Sequence, residues 1–390
     1  MIILIFASAA LLTILLDYRW LKHSKFNHRR TKVILAIALT LINLLPLVTI
    51  AIGIPKNNEN IGIAILAWIL TVYVITTLVR VAFYAGTIIF RDKKIGKTIG
   101  TILSGCVAVT LLYSLVSTRT DITIKRVEIK DNDILASFEG FRILFFSDLH
   151  ICSLLNKHKE IDRLVTTIND QKADMVIFGG DLIHINHREL TDKIISQLSA
   201  IKAPYGVYTV LGNHDTGVYI PDTLLLSKSA NIAHLSSKYR QMNWTLLQDS
   251  TIYVSKGSDS IAVTGIDFTD ALLKYKHSFA TPDDYLPTEI FDSIDSQLFN
   301  IAISHLPHLW HPISDSGCAD LVLSGHIHAT QFAINCFGLR LSPAMLMYKE
   351  WSGLYSDANS SLYITDGIGS VGFYLRVGAK PELTLIELKR

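Results

Sequence analysis

Acidic residues are nearly missing from the first 117 positions, where Asp17, Glu59 and Asp92 stand against twelve Lys or Arg. Charge is scarce overall, 18% of 390 residues, while 49% are hydrophobic and the mean hydropathy is +0.35. A chain this apolar is not an ordinary soluble protein. The first 117 residues carry +9 and the other 273 carry −7, so the net +2 hides a basic apolar part and a mildly acidic remainder. That division argues against general nucleic-acid binding. Cysteine is scarce too: Cys106, Cys152, Cys318 and Cys336 show no CxxC or zinc-knuckle spacing, which excludes a cysteine-built zinc module. Cys106 lies in an apolar run, and the other three leave room for one disulfide. No internal repeat or low-complexity segment is present.

What fills the first 117 residues is a series of apolar runs. Residues 2–16 lack the basic start and small-residue cleavage site of a signal peptide, and they read as a retained helix closed by Asp17. Residues 33–54, 61–79 and 95–116 each approach the 20 or so residues needed to cross a bilayer, so about four transmembrane helices are expected. The connection at 19–32 is rich in Lys and Arg, and the third carries Arg91, Lys93 and Lys94, while the second has only Lys56 and Glu59. Short basic loops stay in the cytoplasm, which puts the N-terminus and residues 118 onward on the far side of a multi-pass cell-membrane protein. Arg80, near the end of the third run, reads as a snorkelling side chain.

From Ser117 onward strands alternate with helical stretches. Strands are expected at 122–129, 142–146, 175–179, 207–211, 251–254, 261–266, 299–303, 321–323, 362–365 and 383–388, with helices near 157–169 and 190–198. Early alternation followed by strand-rich sequence gives an α/β fold with two sheets face to face and helices outside. Residues 1–117 are thus a transmembrane helical region and 118–390 a second domain. Residues 274–277 and 283–284 read as solvated loop.

The chemistry sits at strand tips. FRILFFSDLH ends on Asp148 and His150, which share one side of an extended tip. Four later tips offer Asp181 in GGD, Asn213 and His214 in GNHD, His305 in ISH, and His326 with His328 in SGHIH. Carboxylate and amide oxygens mixed with imidazoles, and no thiolate, suit Mn, Fe, Zn or a similar divalent ion.

These ordered motifs resemble those of the calcineurin-like metallophosphoesterases, over roughly residues 140–390. Gln331, Gly353-Leu354-Tyr355, the 367–372 loop and Pro381-Glu382-Leu383 are similar to a membrane-associated, YkuE-like bacterial branch. The resemblance implies an αββα sandwich and two divalent metal ions. One is held by Asp148, His150, Asp181 and His328, and the second by the bridging Asp181 with Asn213, His305 and His326. It implies hydrolysis of a phosphate ester by a metal-bound hydroxide, with His214 as proton donor or stabiliser of transition-state charge. The alternative for His214 is a purely structural role.

The chain departs from the family in places. GDxxD is here Asp181-Leu182-Ile183-His184, so either Asp215 takes over the task of orienting His214 or the acid role is weakened. His184 and His187 read as substrate contacts or exposed loop residues. GHTHGGQ is here GHIHATQ, with Ala329 and Thr330 in place of two glycines, a substitution costly wherever φ is positive. The arginines that accompany a phosphoprotein substrate are replaced by Ile185, Asn186 and Leu211, which points instead to a diester, pyrophosphate or lipid-linked phosphate drawn from membrane lipids or small molecules. Related members include UDP-diacylglucosamine pyrophosphatases, whose cytoplasmic substrate conflicts with the orientation above. His308 and His311, flanking Trp310, read as pocket-border or helix-start residues. A non-catalytic metal-binding sensor or scaffold is the alternative to the enzyme, and a transporter or channel is a third reading.

Overall fold

The computed structural model describes residues 2–390 apart from 24–27, 53–58, 91–92, 221–225, 270–271, 273–287, 292–293 and 296. Lys25, Lys56 and Arg91 of the loop argument, and the stretches 274–277 and 283–284, lie outside the described residues. Contacts divide the chain into two units, Met1–Ser117 with Val371–Leu375, and Thr118–Ser370 with Arg376–Arg390.

The first unit holds four helices, α1 (Ile2–His23), α2 (Arg29–Ile52), α3 (Glu59–Ile89) and α4 (Lys93–Val116). Among the described residues three helices are long and apolar enough to cross a membrane, over Arg29–Val48, Ile61–Ile89 and Lys93–Thr120, where about four were expected; α1 is not one of the three. Helices α3 and α4 meet at glycines. A Cβ built on Gly86 would lie 2.4 Å from the Gly100 backbone, a close approach that small residues permit between apolar helices. The short segment 371–375 also belongs to this unit: Tyr374 N donates to Thr71 Oγ1 at 2.9 Å, and its ring lies 5.1 Å from Trp68.

Arg80 does not snorkel. Its guanidinium reaches Asp17 Oδ2 at 2.6 Å and Asn43 Oδ1 at 2.8 Å. Asn43 Nδ2 donates to the same carboxylate at 3.0 Å, and Thr13 donates to Asn43 Oδ1 at 2.9 Å. Tyr84 donates to Asp17 Oδ1 at 2.5 Å. Both carboxylate oxygens are therefore occupied, and α1, α2 and α3 are joined by one buried polar network. An unpaired charge left inside such a bundle is expensive, whereas an apolar pair is tolerated. Asp17→Ala is therefore expected to lower the unfolding free energy of the detergent-solubilised protein by about 3 kcal/mol, and Asp17→Leu with Arg80→Leu to recover most of it. Tryptophan-fluorescence unfolding measures both.

The second unit begins with β1 (Thr123–Lys130), β2 (Arg142–Phe146), α5 (Lys157–Asp170), β3 (Met175–Phe178), α6 (Asp192–Leu198), β4 (Val207–Thr209), α7 (Lys228–Gln241) and β5 (Thr245–Leu246). It continues with β6 (Ser250–Lys256), β7 (Asp259–Ile266), β8 (Asn300–Ser304), α8 (Trp310–Ser316), β9 (Leu321–Ser324), β10 (Ile334–Cys336), β11 (Leu339–Leu341), β12 (Gly353–Ser356), β13 (Ser361–Ile364) and β14 (Glu382–Lys389). One six-stranded sheet runs β1-β14-β2-β3-β4-β5, the other β12-β13-β9-β8-β7-β6, and β10-β11 stand as a separate hairpin.

The strand β2 shows why its sequence is apolar without alternation: Phe145 packs between the sheets with Ile177, Ile301 and Tyr363, while Phe146 faces the helices with Leu164 and Trp244. Strands buried on both faces read as continuous apolar runs. Helix α5 closes the outer face with Ile161, Leu164, Val165 and Ile168, an i, i+3, i+4, i+7 stripe. Helix α8 closes the outer face of the second sheet through Ile313. The fold is therefore the expected two-sheet sandwich, helix layer to helix layer. All four cysteines are free, so the disulfide left open by the sequence is not made.

Asp320, at the edge of β9, accepts the Asn300 amide at 2.6 Å, and burial with Asp131 and Asp133 nearby raises its carboxyl to about 6. A carboxyl raised in the folded state binds its proton more tightly folded than unfolded. Its stabilising share is present below the ordinary 3.8 and is lost as pH rises through about 6. Asp320→Asn is expected to stabilise the protein by about 1 kcal/mol at neutral pH after allowance for its partial exposure, and by nothing at pH 3.5 or so, as read by thermal unfolding at the two values.

Candidate metal centre

Every candidate ligand follows the C-terminal end of a strand. In the first sheet β2, β3 and β4 run parallel and lead into Asp148, Asp181 and Asn213; in the second, the parallel β8 and β9 lead into His305 and His326. Parallel strands deliver their ends to one edge, where such folds keep their sites. The motifs then interlock through the main chain. Asp148 N donates to Gly180 O at 2.9 Å, His150 N to Asp181 O at 3.1 Å, and Gly325 N to His305 O at 3.2 Å.

The side chains come together as three overlapping groups: Asp148, His150 and His328; Asp181, His305 and His326; and His150, Asp181 and His214. Within each, the potential ligand atoms lie no more than 4.8 Å apart. His328 Nε2 is 3.1 Å from Asp148 Oδ1, His305 Nε2 is 3.2 Å from Asp181 Oδ2, and His150 Nε2 is 3.6 Å from the same oxygen. The carboxylates are aimed by amides of other motifs: His326 N donates to both oxygens of Asp148 at 3.1 Å, and His214 N to Asp181 Oδ1 at 2.8 Å.

Two buried ligand atoms test whether this arrangement fits a cation. Asn213 Nδ2 donates to Tyr219 at 3.1 Å, which leaves its buried Oδ1 without a partner. His305 Nδ1 is bonded to Gly179 O at 2.8 Å, which turns its buried Nε2 toward Asp181 Oδ2, 3.2 Å away. Imidazoles that hold metals are oriented by such a bond on their other nitrogen. Burial alone would lower the His305 pKa, but the Asp181 and Asp148 carboxylates outweigh it and raise it to about 9, a sign that this point draws positive charge. A mixed oxygen and imidazole donor set with no thiolate fits a divalent transition ion.

His214 is oriented by the main chain. Its Nδ1 meets His184 O at 2.7 Å, whereas Asp215 points elsewhere. The buried Asp215 carboxylate accepts amides from Asp181 at 2.7 Å, Leu182 at 3.0 Å, Ile183 at 3.1 Å and Gly212 at 3.1 Å, tying the second motif to the third. Burial and the neighbouring Asp181 push its carboxyl up to about 8, against the pull of the Gly212 and Ile183 amides. His184 is buried rather than an exposed loop residue. Its ring packs 4.8 Å from His150 and 5.3 Å from His214, and burial followed by His214 holds its pKa down at about 3. His187 turns away to Asn231 and stacks on His234. Trp310 is a packing residue bonded to Ser360, and His311 pairs with Glu350 at 3.5 Å. Ile185, Asn186 and Leu211 are buried and bring no cation to the site.

The backbone is unusual where the candidate ligands sit. Asp148, His150, Asp181, His326 and His328 all have positive φ, followed by Ala329 at 48° and Thr330 at 50°. The two residues that replace glycines do adopt the left-handed conformation, at a cost of order 1–3 kcal/mol each that the surrounding contacts must offset. Ser342 Oγ donates to Ala329 O at 2.8 Å and shares a 3.2 Å bond with Thr330 Oγ1.

Three contributors escaped the sequence reading. Arg376 is fully buried, donates to the carbonyls of Gly369, Ala379 and Asp366, and lies 3.2 Å from His328 Nδ1. Tyr219 packs 4.4 Å from the His214 ring. Glu189 accepts the amides of His184, Ile185 and Asn186, and the signal for it was present: Asn186 to Glu189 is a capping box.

Carboxylates, one amide and imidazoles gathered at the strand ends of a two-sheet sandwich define a metal-dependent phosphoesterase. Residues 141–330 match the family model described as Calcineurin-like phosphoesterase. It is similar to the uncharacterized metallophosphoesterase YkuE of Bacillus subtilis, 28% identical over 67% of this chain and 83% of that protein. It is 28% identical over 73% of its length to a transmembrane protein with metallophosphoesterase domain from Danio rerio, covering 61% of that protein. It is also 27% identical to the UDP-2,3-diacylglucosamine pyrophosphatase LpxG of Chlamydia muridarum, over 51% of this chain and 67% of that one. With its apolar helices, the chain is a membrane protein.

Glycines set how closely the motifs approach. A Cβ on Gly325 would lie 2.4 Å from Asp148 Oδ2, whereas one on Gly105 meets nothing within 4 Å. Gly325→Ala is expected to lower metal retention about tenfold or more, and Gly105→Ala to leave it unchanged, by elemental analysis after dialysis against limiting Mn.

Proposed function

We propose that the protein hydrolyses a phosphodiester, a pyrophosphate or a lipid-linked phosphate, and that two divalent ions are held at the strand ends. The observation that carries this reading is the convergence of Asp148, His150 and His328 and of Asp181, His305 and His326 into overlapping groups of ligand atoms, with the buried Asn213 Oδ1 left without a hydrogen-bond partner. Asp148, His150 and His328 would hold one ion, and Asn213, His305 and His326 the other, with Asp181 between them. The ions, when bound, would supply Lewis-acid stabilisation and a water of lowered pKa.

The chain's own groups do the rest. The amides of His214 and His326 fix the carboxylates, so no reorganisation is needed as charge develops. The His184 carbonyl holds the proton on His214 Nδ1 and so leaves Nε2 to meet a substrate oxygen. Burial lowers the His214 pKa, and a bound phosphate would raise it again, which favours proton donation only in the substrate complex. The absence of cations at Ile185, Asn186 and Leu211 favours a diester or pyrophosphate over a dianionic phosphoprotein.

The catalytic unit would face away from the cytoplasm. With the basic connection before α2 and Lys93 and Lys94 before α4 inside, the crossings of α2, α3 and α4 bring residue 118 outside whether or not α1 also spans.

A second reading follows from His214 lying within ligand distance of His150 and Asp181. Turnover of a chromogenic phosphodiester with added Mn separates the cases. Asp181→Asn is expected to lose both metal and activity; His214→Ala is expected to keep metal while kcat falls about 10²–10⁴-fold. Loss of metal from His214→Ala would make it a ligand, and an inert, metal-loaded wild type across diester, nucleotide-pyrophosphate and lipid-phosphate substrates would overturn the enzyme in favour of a scaffold.

A further inference from the structure

The hairpin β10-β11 is built inside out. Its register pairs Ile334 with Leu341, Asn335 with Arg340 and Cys336 with Leu339, so alternation puts four sulfur or hydrocarbon side chains on one face and the polar pair on the other. In a hairpin lying on a soluble domain the apolar face would be turned in. Here Arg340 is the side chain turned toward the protein, where it pairs with Asp366, bonds Ser352 and lies 5.4 Å over the Trp351 ring. Ile334 and Leu339 are 59% and 65% exposed, and Leu346, in the 3-10 turn Pro343–Leu346 that follows, is 80% exposed.

The tip repeats the pattern. Phe337 and Gly338 form a two-residue turn with φ of 50° and 80°, the kind that ordinarily takes Asn-Gly. A bulky aromatic ring in that conformation is disfavoured, and burial does not compensate, because Phe337 is fully exposed. Residues 333–347 contain one charge, Arg340, and it is already paired.

We propose that the β10-β11 hairpin and the turn after it dip into the surface of a phospholipid bilayer. Three observations favour lipid over a protein partner. The patch is a two-stranded ribbon with a fully exposed aromatic at its tip; residues 333–347 carry a single charge, which is already paired; and the same chain carries helices long and apolar enough to cross a bilayer. An apolar face of this kind, set beside charge-free turns, fits the acyl and headgroup boundary. The hairpin is also rooted on the candidate metal site: Ser342 bonds the Ala329 carbonyl one residue beyond His328, and Asp366, the partner of Arg340, precedes Gly367, whose added Cβ would lie 2.9 Å from Asp148 Cβ. Lipid contact would therefore bear directly on the loops that place His328 and Asp148. The inference does not depend on which phosphate compound is cleaved, or on turnover at all.

The test uses the full chain in nanodiscs of phosphatidylethanolamine and phosphatidylglycerol. A nitrobenzoxadiazole probe is placed by Phe337→Cys in a background lacking the four native cysteines, and by Ser258→Cys in the exposed β6-β7 turn as control. The probe at 337 is expected to shift to the blue and lose about half its emission to acyl-chain spin-labelled lipids, with the control unchanged. In a second variant, read by a probe at Leu339→Cys, Phe337→Asp with Leu346→Asp is expected to abolish that quenching while the thermal unfolding midpoint is unchanged. Water-like emission at 337, a blue shift without lipid quenching, which would mean a second copy or another protein covers the hairpin, or quenching that survives the double substitution would each overturn the proposal.

Discussion

Two carboxylates, Asp148 and Asp181, are buried together at the meeting point of five strand ends, and the rest of the catalytic unit is arranged around that fact. A lone buried carboxylate would be neutralised or strongly destabilising. Here imidazoles stand 3.1–3.6 Å away and main-chain amides from the third and fifth motifs aim at the oxygens. His328 draws the Asp148 pKa down against the burial that would raise it, and His305 does the same for Asp181. Such a cluster is electrostatically demanding without further positive charge and favourable with it. The glycines before Asn213 and His326 belong to the same constraint. A Cβ on Gly212 would sit 2.1 Å from Asp181 Oδ1, so the motif spelling records how near the motifs must come.

That constraint explains what could be read from the sequence. Apolar runs ending in a polar residue beside Gly or Ser mark β2, β3, β8 and β9, because a strand covered on both faces has no alternation to hide its limits. The candidate ligand residues follow at those ends. Interactions carried by the main chain were not: the His184 carbonyl that orients His214 has no residue-type signature, so the sequence pointed to the nearby Asp215 instead. Arg376 was hidden for a similar reason, since its partners are mostly carbonyls of a loop whose shape the sequence does not announce. Short strands such as β5 and β12 lacked the length for a periodic pattern.

Ala329 and Thr330 mark the reverse case, where local preference and final structure disagree. Their left-handed backbone is retained because the turn is held at both ends, by His328 on one side and by Ser342 on the other. Strained residues persist when their surroundings over-determine them, and that is most common where a site must be held in one geometry. The strain thus belongs with the positive φ of the five neighbouring candidate-ligand positions rather than standing apart as an oddity of composition.

The two units violate the rules for water-soluble proteins in opposite directions. In the helical unit, Asp17 and Arg80 are joined inside an apolar bundle over 63 positions of sequence, and both oxygens of the Asp17 carboxylate are used. In the catalytic unit, the β10-β11 hairpin keeps its arginine inward and its leucines outward. Surrounded by water on all sides, the first arrangement would gain little and the second would be a liability to aggregation. With hydrocarbon as part of the solvent both become sensible, since polar groups must then be satisfied within the protein and apolar side chains cost nothing to display. The polarity of each part is set by what surrounds it, and the same bilayer accounts for both.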